Sequence, residues 1–173
     1  APLGCSLLGV EPGPELVQVA QRRLANFPKV VIQPVKFEDF PLPPEPYDLV
    51  FSAQAFHWIN PEIGLTKAAA ALKPGGWLAL FWNRYPGISG PLALELQHAY
   101  NQTSLKSEVS PQVKCEKDIQ SRQEQIEKSG LFRTTRVLRF PWTARYTVPE
   151  YLGLLGTYSD HITLPADQRT QLF

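Results

Sequence analysis

At 173 residues, with 17 Lys and Arg against 16 Asp and Glu and a net charge of +1, the chain has the size of one domain with room for a real core. So balanced a charge excludes the electrostatic footprint of a nucleic-acid binder, and no apolar run approaches the ~20 residues of a membrane helix. Cys5 and Cys115 have no neighbouring ligand pattern and the three histidines share no metal-ligand spacing, so no metal is expected, and the thiols read as small buried residues or free thiols of a reducing, cytoplasmic compartment. No signal-peptide pattern opens the chain. It contains no methionine and stops at Gln171-Leu172-Phe173 inside a helical pattern, which leads to the expectation of a fragment.

The first apolar run, Cys5 to Val10, ends at Glu11 and is broken by Pro12-Gly13-Pro14. Helical spacing then runs from Glu15 to Asn26, with Leu16, Val19, Ala20, Arg23 and Leu24 on one face and Pro14 suited to the first helical position. An acid at the tip of such a strand can accept hydrogen bonds from both hydroxyls of a ribose; it can equally serve the helix dipole or face solvent. Lys29 to Val35 is a second apolar run, one helix later, and reads as a neighbouring parallel strand. The loop Phe37 to Pro43 could lay a ring and a carboxylate against an adenine, or simply bury Phe37 and Phe40.

Tyr47 to Trp58, YDLVFSAQAFHW, is the centre of the pattern. Leu49-Val50-Phe51 reads as a core strand apolar on both faces, and Ser52 to Trp58 falls at the strand's carboxyl end, where ligands sit in open α/β sheets. A helix over Pro61 to Leu72 follows, opened by Asn60 as N-cap, Pro61 and Glu62. It stops at Lys73-Pro74-Gly75-Gly76, with a cation at the negative helix end. Trp77 to Trp82 reads as another buried strand, capped by Asn83-Arg84. Strands joined by helical crossovers predict a doubly wound, mostly parallel sheet.

Beyond Pro86 the character changes. Helices are predicted over Pro91 to Gln102, Asp118 to Ser129 and Val148 to Leu155, with a polar, mobile stretch from Thr103 to Lys117. Thr134 to Trp142 alternates like a strand, and Asp160-His161 reads as part of a turn. Tyr146, Tyr151 and Tyr158 are enough aromatic surface to line a pocket, or to pack a core.

Four stretches in this order, LLGVEPGPELVQVAQRRL at 7–24, FEDFPLP at 37–43, YDLVFSAQAFHWI at 47–59 and LKPGGWLALF at 72–81, make the sequence resemble the class I S-adenosylmethionine-dependent methyltransferases, in particular the small-molecule branch similar to trans-aconitate and ubiquinone-type enzymes. SGLF at 129–132 and the run at 140–159 resemble the same branch more loosely. The resemblance implies a Rossmann-like α/β fold with a helical lid. Residues 1–83 would form the cofactor-binding core and 84–173 the lid and the C-terminal part of the sheet. The family's glycine-rich loop is expected before residue 1 and its last antiparallel hairpin after residue 173, so the fold is expected to be incomplete at both ends. Lys36 stands where many relatives have an acid.

The resemblance also implies roles. Glu11, with Pro12 beside it, would hold the ribose of S-adenosylmethionine; Phe37 and Glu38 would lie along the adenine; Ser52, Ala53 and Gln54 would pass beneath the methionine part. Phe56, Trp58, Trp82, Arg84 and Tyr146 would meet the methyl acceptor, a small molecule, and His57 is the candidate base if that acceptor is a hydroxyl. A carboxylate acceptor needs no base. Two other functions share parts of the pattern: a nicotinamide-dependent oxidoreductase, through the acid at the strand end, and a non-catalytic module of methyltransferase shape.

Overall fold

The structure, a computed structural model, describes residues 4–42, 44–83, 88, 90–105 and 112–173, the last stretch with side chains from residue 116. The chain divides into two compact units, Ala1–Asn83 with Glu124–Thr135, and Arg84–Gln123 with Arg136–Phe173.

In the first unit, β1 (Leu7–Val10) and β2 (Val30–Gln33) are parallel neighbours, in register from Leu7 opposite Val30 to Val10 opposite Gln33. The crossover between them is α1 (Pro14–Arg23), with Pro14 in its first turn, Glu15 at its positive end and Arg22 and Arg23 at its negative end. Its inward residue is Val17. Leu16 and Val19, assigned to the buried face by spacing, are exposed. The helix also ends three residues before the expected Asn26.

β3 (Tyr47–Ala53) and β4 (Leu72–Phe81) form a second parallel pair. α2 (Pro61–Ala71) joins them and packs on both strands. Asn60 caps α2 as expected, its side-chain oxygen accepting from the Glu62 and Ile63 amides at 3.0 and 3.4 Å. Gly64 brings α2 close to the strand-end turn: a Cβ there would lie 2.8 Å from Ile59 Cγ2 and 3.0 Å from Phe56 Cζ.

Two expectations about this pair are corrected. The strand begins not at Trp77 but at Leu72, so Lys73-Pro74-Gly75-Gly76, which stops α2 as expected, is also the irregular start of β4. The register jumps from Tyr47 opposite Leu72 to Leu49 opposite Trp77, and Gly75 takes φ +82°, which side chains resist. Lys73 does not serve the helix end; it reaches Asp48 at 2.7 Å, and that hydrogen bond with its charge lowers the Asp48 pKa. Nor are both faces of β3 buried. Val50, Leu78 and Leu80 are half-covered, whereas Leu49, Trp77, Phe81 and Phe51 (48% exposed) line an open face on which the Phe51 and Phe81 rings stack 6.3 Å apart.

Among the described residues the strands therefore form two sheets of two parallel strands each, in place of one continuous sheet. The α/β character and the parallel pairing follow the sequence reading, with small sheets among the described residues.

The second unit is helical: α3 (Pro91–Asn101), the first part of α4 (Gln112–Lys128), α5 (Val148–Leu155), α6 (Ser159–Ile162) and α7 (Ala166–Leu172). α4 starts inside the stretch assigned as polar and mobile, six residues before Asp118. Thr134 to Trp142 forms neither helix nor ladder among the described residues. Asp160 and His161 lie in α6, not in a turn. α5 begins as expected at Thr147, whose amide and hydroxyl both donate to Glu150 Oε2 at 2.8 Å. Those bonds lower the Glu150 pKa, the amide contributing most.

The core of this unit is polar at its heart. His161 is 3% exposed, and its Nε2 lies 2.8 Å from the Tyr100 hydroxyl. Asp160 Oδ1 takes both the His161 amide and Nδ1, at 2.9 and 2.8 Å. In the neutral ring with its proton on Nδ1 toward Asp160, Nε2 is the acceptor to which the Tyr100 O–H donates. Tyr100, Tyr158 and Phe173 present their rings edge-on to the imidazole. Burial pushes the Tyr100 phenol up to about 12.

Candidate functional site

The carboxyl ends of β1 and β3 carry most of the predicted site residues. β1 delivers Glu11, whose amide continues the ladder to the Gln33 carbonyl at 3.0 Å. One carboxylate oxygen, Oε1, accepts the Gly13 amide at 2.8 Å. That bond folds the acid over the start of α1 and leaves Oε2 without a partner among the described residues. Pro12 is exposed at the tip of the same turn.

The loop after β2 is drawn down onto α2. Lys67 Nζ donates to the Glu38 carbonyl at 2.5 Å and lies 5.9 Å from the centre of the Phe37 ring, within cation–π range. Phe37 and Glu38 are half-buried, while Phe40 enters the core. Lys67 was not singled out by the sequence reading. Its signal, a cation mid-helix on a largely apolar stretch, has meaning only once the loop is seen beside it.

β3 ends at Ala53, and Gln54 turns the chain with φ +53°, a left-handed conformation uncommon outside glycine. Two bonds hold that turn to the end of β4: the Gln54 amide to the Phe81 carbonyl at 3.1 Å, and its side-chain amide to the Asn83 carbonyl at 3.1 Å. Ser52 is half-buried and Ala53 and Gln54 are exposed at this rim.

Phe56, His57 and Trp58 form one 3-10 turn. Phe56 points inward, 7% exposed against Gly64, so it anchors the turn from the core side. His57 and Trp58 point out, Trp58 being 81% exposed. Their rings lie 5.1 Å apart, and the indole N–H of Trp82 donates to His57 Nδ1 at 3.2 Å.

Thus Ser52, Ala53, Gln54, His57, Trp58 and Trp82 gather at one strand-end rim. Tyr146 belongs to the second unit, where its ring meets Tyr151 at 6.1 Å. Arg84 lies outside the described residues. No group of three or more metal-ligating side chains occurs among the described residues, and no helix there is long and apolar enough to cross a membrane. Cys5 is a free, exposed thiol.

Residues 1–80 match the methyltransferase-domain family. An uncharacterized methyltransferase of Mycobacterium tuberculosis (strain ATCC 25618 / H37Rv) is 27% identical over 168 residues, covering 97% of this chain and 61% of the relative. An uncharacterized methyltransferase-like protein of Schizosaccharomyces pombe is 35% identical over 77 residues, 44% of this chain and 29% of its own length. An uncharacterized methyltransferase of Geobacillus sp. (strain WCH70) is 35% identical over 75 residues, 42% of this chain and 34% of its own. The chain thus spans 61% of the length of that mycobacterial relative. The family match covers the segment that carries Glu11 and Ser52 to Trp58, and over its first 80 residues the chain is similar to the methyltransferase-domain family.

Proposed function

We propose that the protein transfers a methyl group from S-adenosylmethionine directly to a small molecule. The observation that carries this reading is Glu11: a carboxylate at the end of a parallel strand, fixed through one oxygen by the Gly13 amide, with the other oxygen unpartnered among the described residues. That is the donor-accepting group a ribose diol requires.

The residues present fit the cofactor. Glu11 takes the ribose hydroxyls, Phe37 and Glu38 flank the adenine, and the Ser52-Ala53-Gln54 backbone turns beneath the methionine portion. When bound, the cofactor supplies both the methyl group and its leaving group, so the protein's task is alignment and exclusion of water. The bonded Gln54 turn gives the rim a fixed shape. The exposed face of Trp58 suits a cationic sulfonium. In this reading the two small sheets are parts of one doubly wound sheet, and the second unit, with Tyr146, takes part in choosing the acceptor.

Calorimetric titration of the complete protein with S-adenosylhomocysteine and with NAD tests the assignment. Binding of the first and not the second is expected; tight binding of NAD alone overturns it.

A further inference from the structure

The Trp82–His57 pair decides what the histidine can do. An indole N–H can only donate, so His57 Nδ1 must be the lone-pair nitrogen of a neutral ring, and its proton sits on Nε2. Both partners are held. Trp82 follows the last residue of β4, the same segment to which Gln54 is tied through Phe81 and Asn83. His57 sits in a turn closed by the Trp58 amide on Ala55 and the Ile59 amide on Phe56, with Phe56 anchored in the core. The imidazole is exposed, and Nε2 has no partner among the described residues.

We propose, resting on the methyltransferase reading above, that Trp82 fixes His57 as the Nε2–H tautomer, and that His57 serves as a hydrogen-bond donor that anchors an anionic oxygen of the acceptor rather than as a base. Its only lone pair is engaged by Trp82, so Nε2 cannot take a proton from a hydroxyl without the ring first changing tautomer and losing that bond. Donor chemistry at this edge suits an acceptor that is already ionised at neutral pH, a carboxylate. One carboxylate oxygen accepts from Nε2–H. The other forms the new carbon–oxygen bond to the methyl group as the sulfur–carbon bond of the methylsulfonium donor breaks, its electron pair staying on sulfur. No proton moves, so no base is called for. His57 is then a specificity-determining residue, and Trp82 a positioning residue acting through it.

The test is nitrogen-15 NMR of the His57 ring in the complete protein, assigned through His57→Gln, with succinate and its neutral counterpart butane-1,4-diol as probes, each with and without S-adenosylhomocysteine. A protonated Nε2 and bare Nδ1 are expected, with Trp82→Phe relaxing the ring toward a mixture of tautomers. Succinate should shift the Nε2 resonance and the diol should not. His57→Phe should weaken succinate binding at least about fivefold, and His57→Gln, which keeps a donor, less than about twofold. A proton on Nδ1, equal response to succinate and the diol, or equal succinate affinity in His57→Phe overturns the proposal. Failure to bind S-adenosylhomocysteine overturns the methyltransferase reading instead, because the tautomer is read from the ring itself with or without that ligand.

Discussion

The Lys67 ammonium donates to the Glu38 backbone carbonyl at 2.5 Å while lying beside the face of Phe37. One side chain of α2 thereby shapes the loop assigned to the adenine. Lys67→Met keeps the stem of the side chain and removes the donor. Loss of one charge-assisted bond is expected to cost about 1 kcal/mol of stability, and the freed loop should weaken S-adenosylhomocysteine binding about threefold to tenfold. Urea melts and calorimetry on the same variant separate the two effects; loss of stability with unchanged affinity detaches the loop from the cofactor.

Gly64 sets how closely α2 approaches the Phe56–Trp58 turn. Gly64→Ala gains up to about 1 kcal/mol of helix propensity. Against that, the new methyl meets Ile59 at 2.8 Å and Phe56 at 3.0 Å, and overpacking of this kind costs about 1–3 kcal/mol. The clash wins, so a net loss of about 1 kcal/mol is expected, read as a lower urea midpoint.

Much of this was legible in the chain. Asn60-Pro61-Glu62 announced the start of α2, and Thr147 that of α5, because caps are local chemistry. The acid at the end of β1 and the polar run after β3 were also readable, since both follow directly on apolar strands. What escaped were facts set by neighbours distant in sequence. Val17, not Leu16, faces inward because β2 lies on that side of α1. Lys73 finds Asp48 across the ladder, 25 residues away, rather than the end of its helix. The alternation from Thr134 to Trp142 finds no strand to pair with among the described residues. Phe56 and His57 were grouped as one patch, yet the 3-10 turn sends them to opposite sides. The Trp82 bond that sets the chemistry of His57 has no sequence signal at all.

Tyr100 makes the second unit sensitive to alkali. Its folded pKa, about 12, stands above the ordinary value of 10.0 because burial disfavours phenolate. Below pH 10 the phenol is neutral in both states and the native bond to His161 is intact. Between about 10 and 12 the unfolded chain loses its proton first, so stability falls as pH rises, by about 3 kcal/mol in all. Tyr100→Phe should remove this alkaline loss while costing about 1–3 kcal/mol at neutral pH, since it leaves His161 Nε2 buried without its donor. Thermal melts of both proteins from pH 7 to 11 check this; parallel curves contradict it.

Glu11 carries the central claim. Calorimetric titration of the complete protein with S-adenosylhomocysteine, wild type against Glu11→Ala, tests it most directly. The account predicts binding by the wild type and a loss of more than about tenfold in the variant, whose cofactor ribose hydroxyls lose their acceptor. Equal affinities in the two proteins would contradict it.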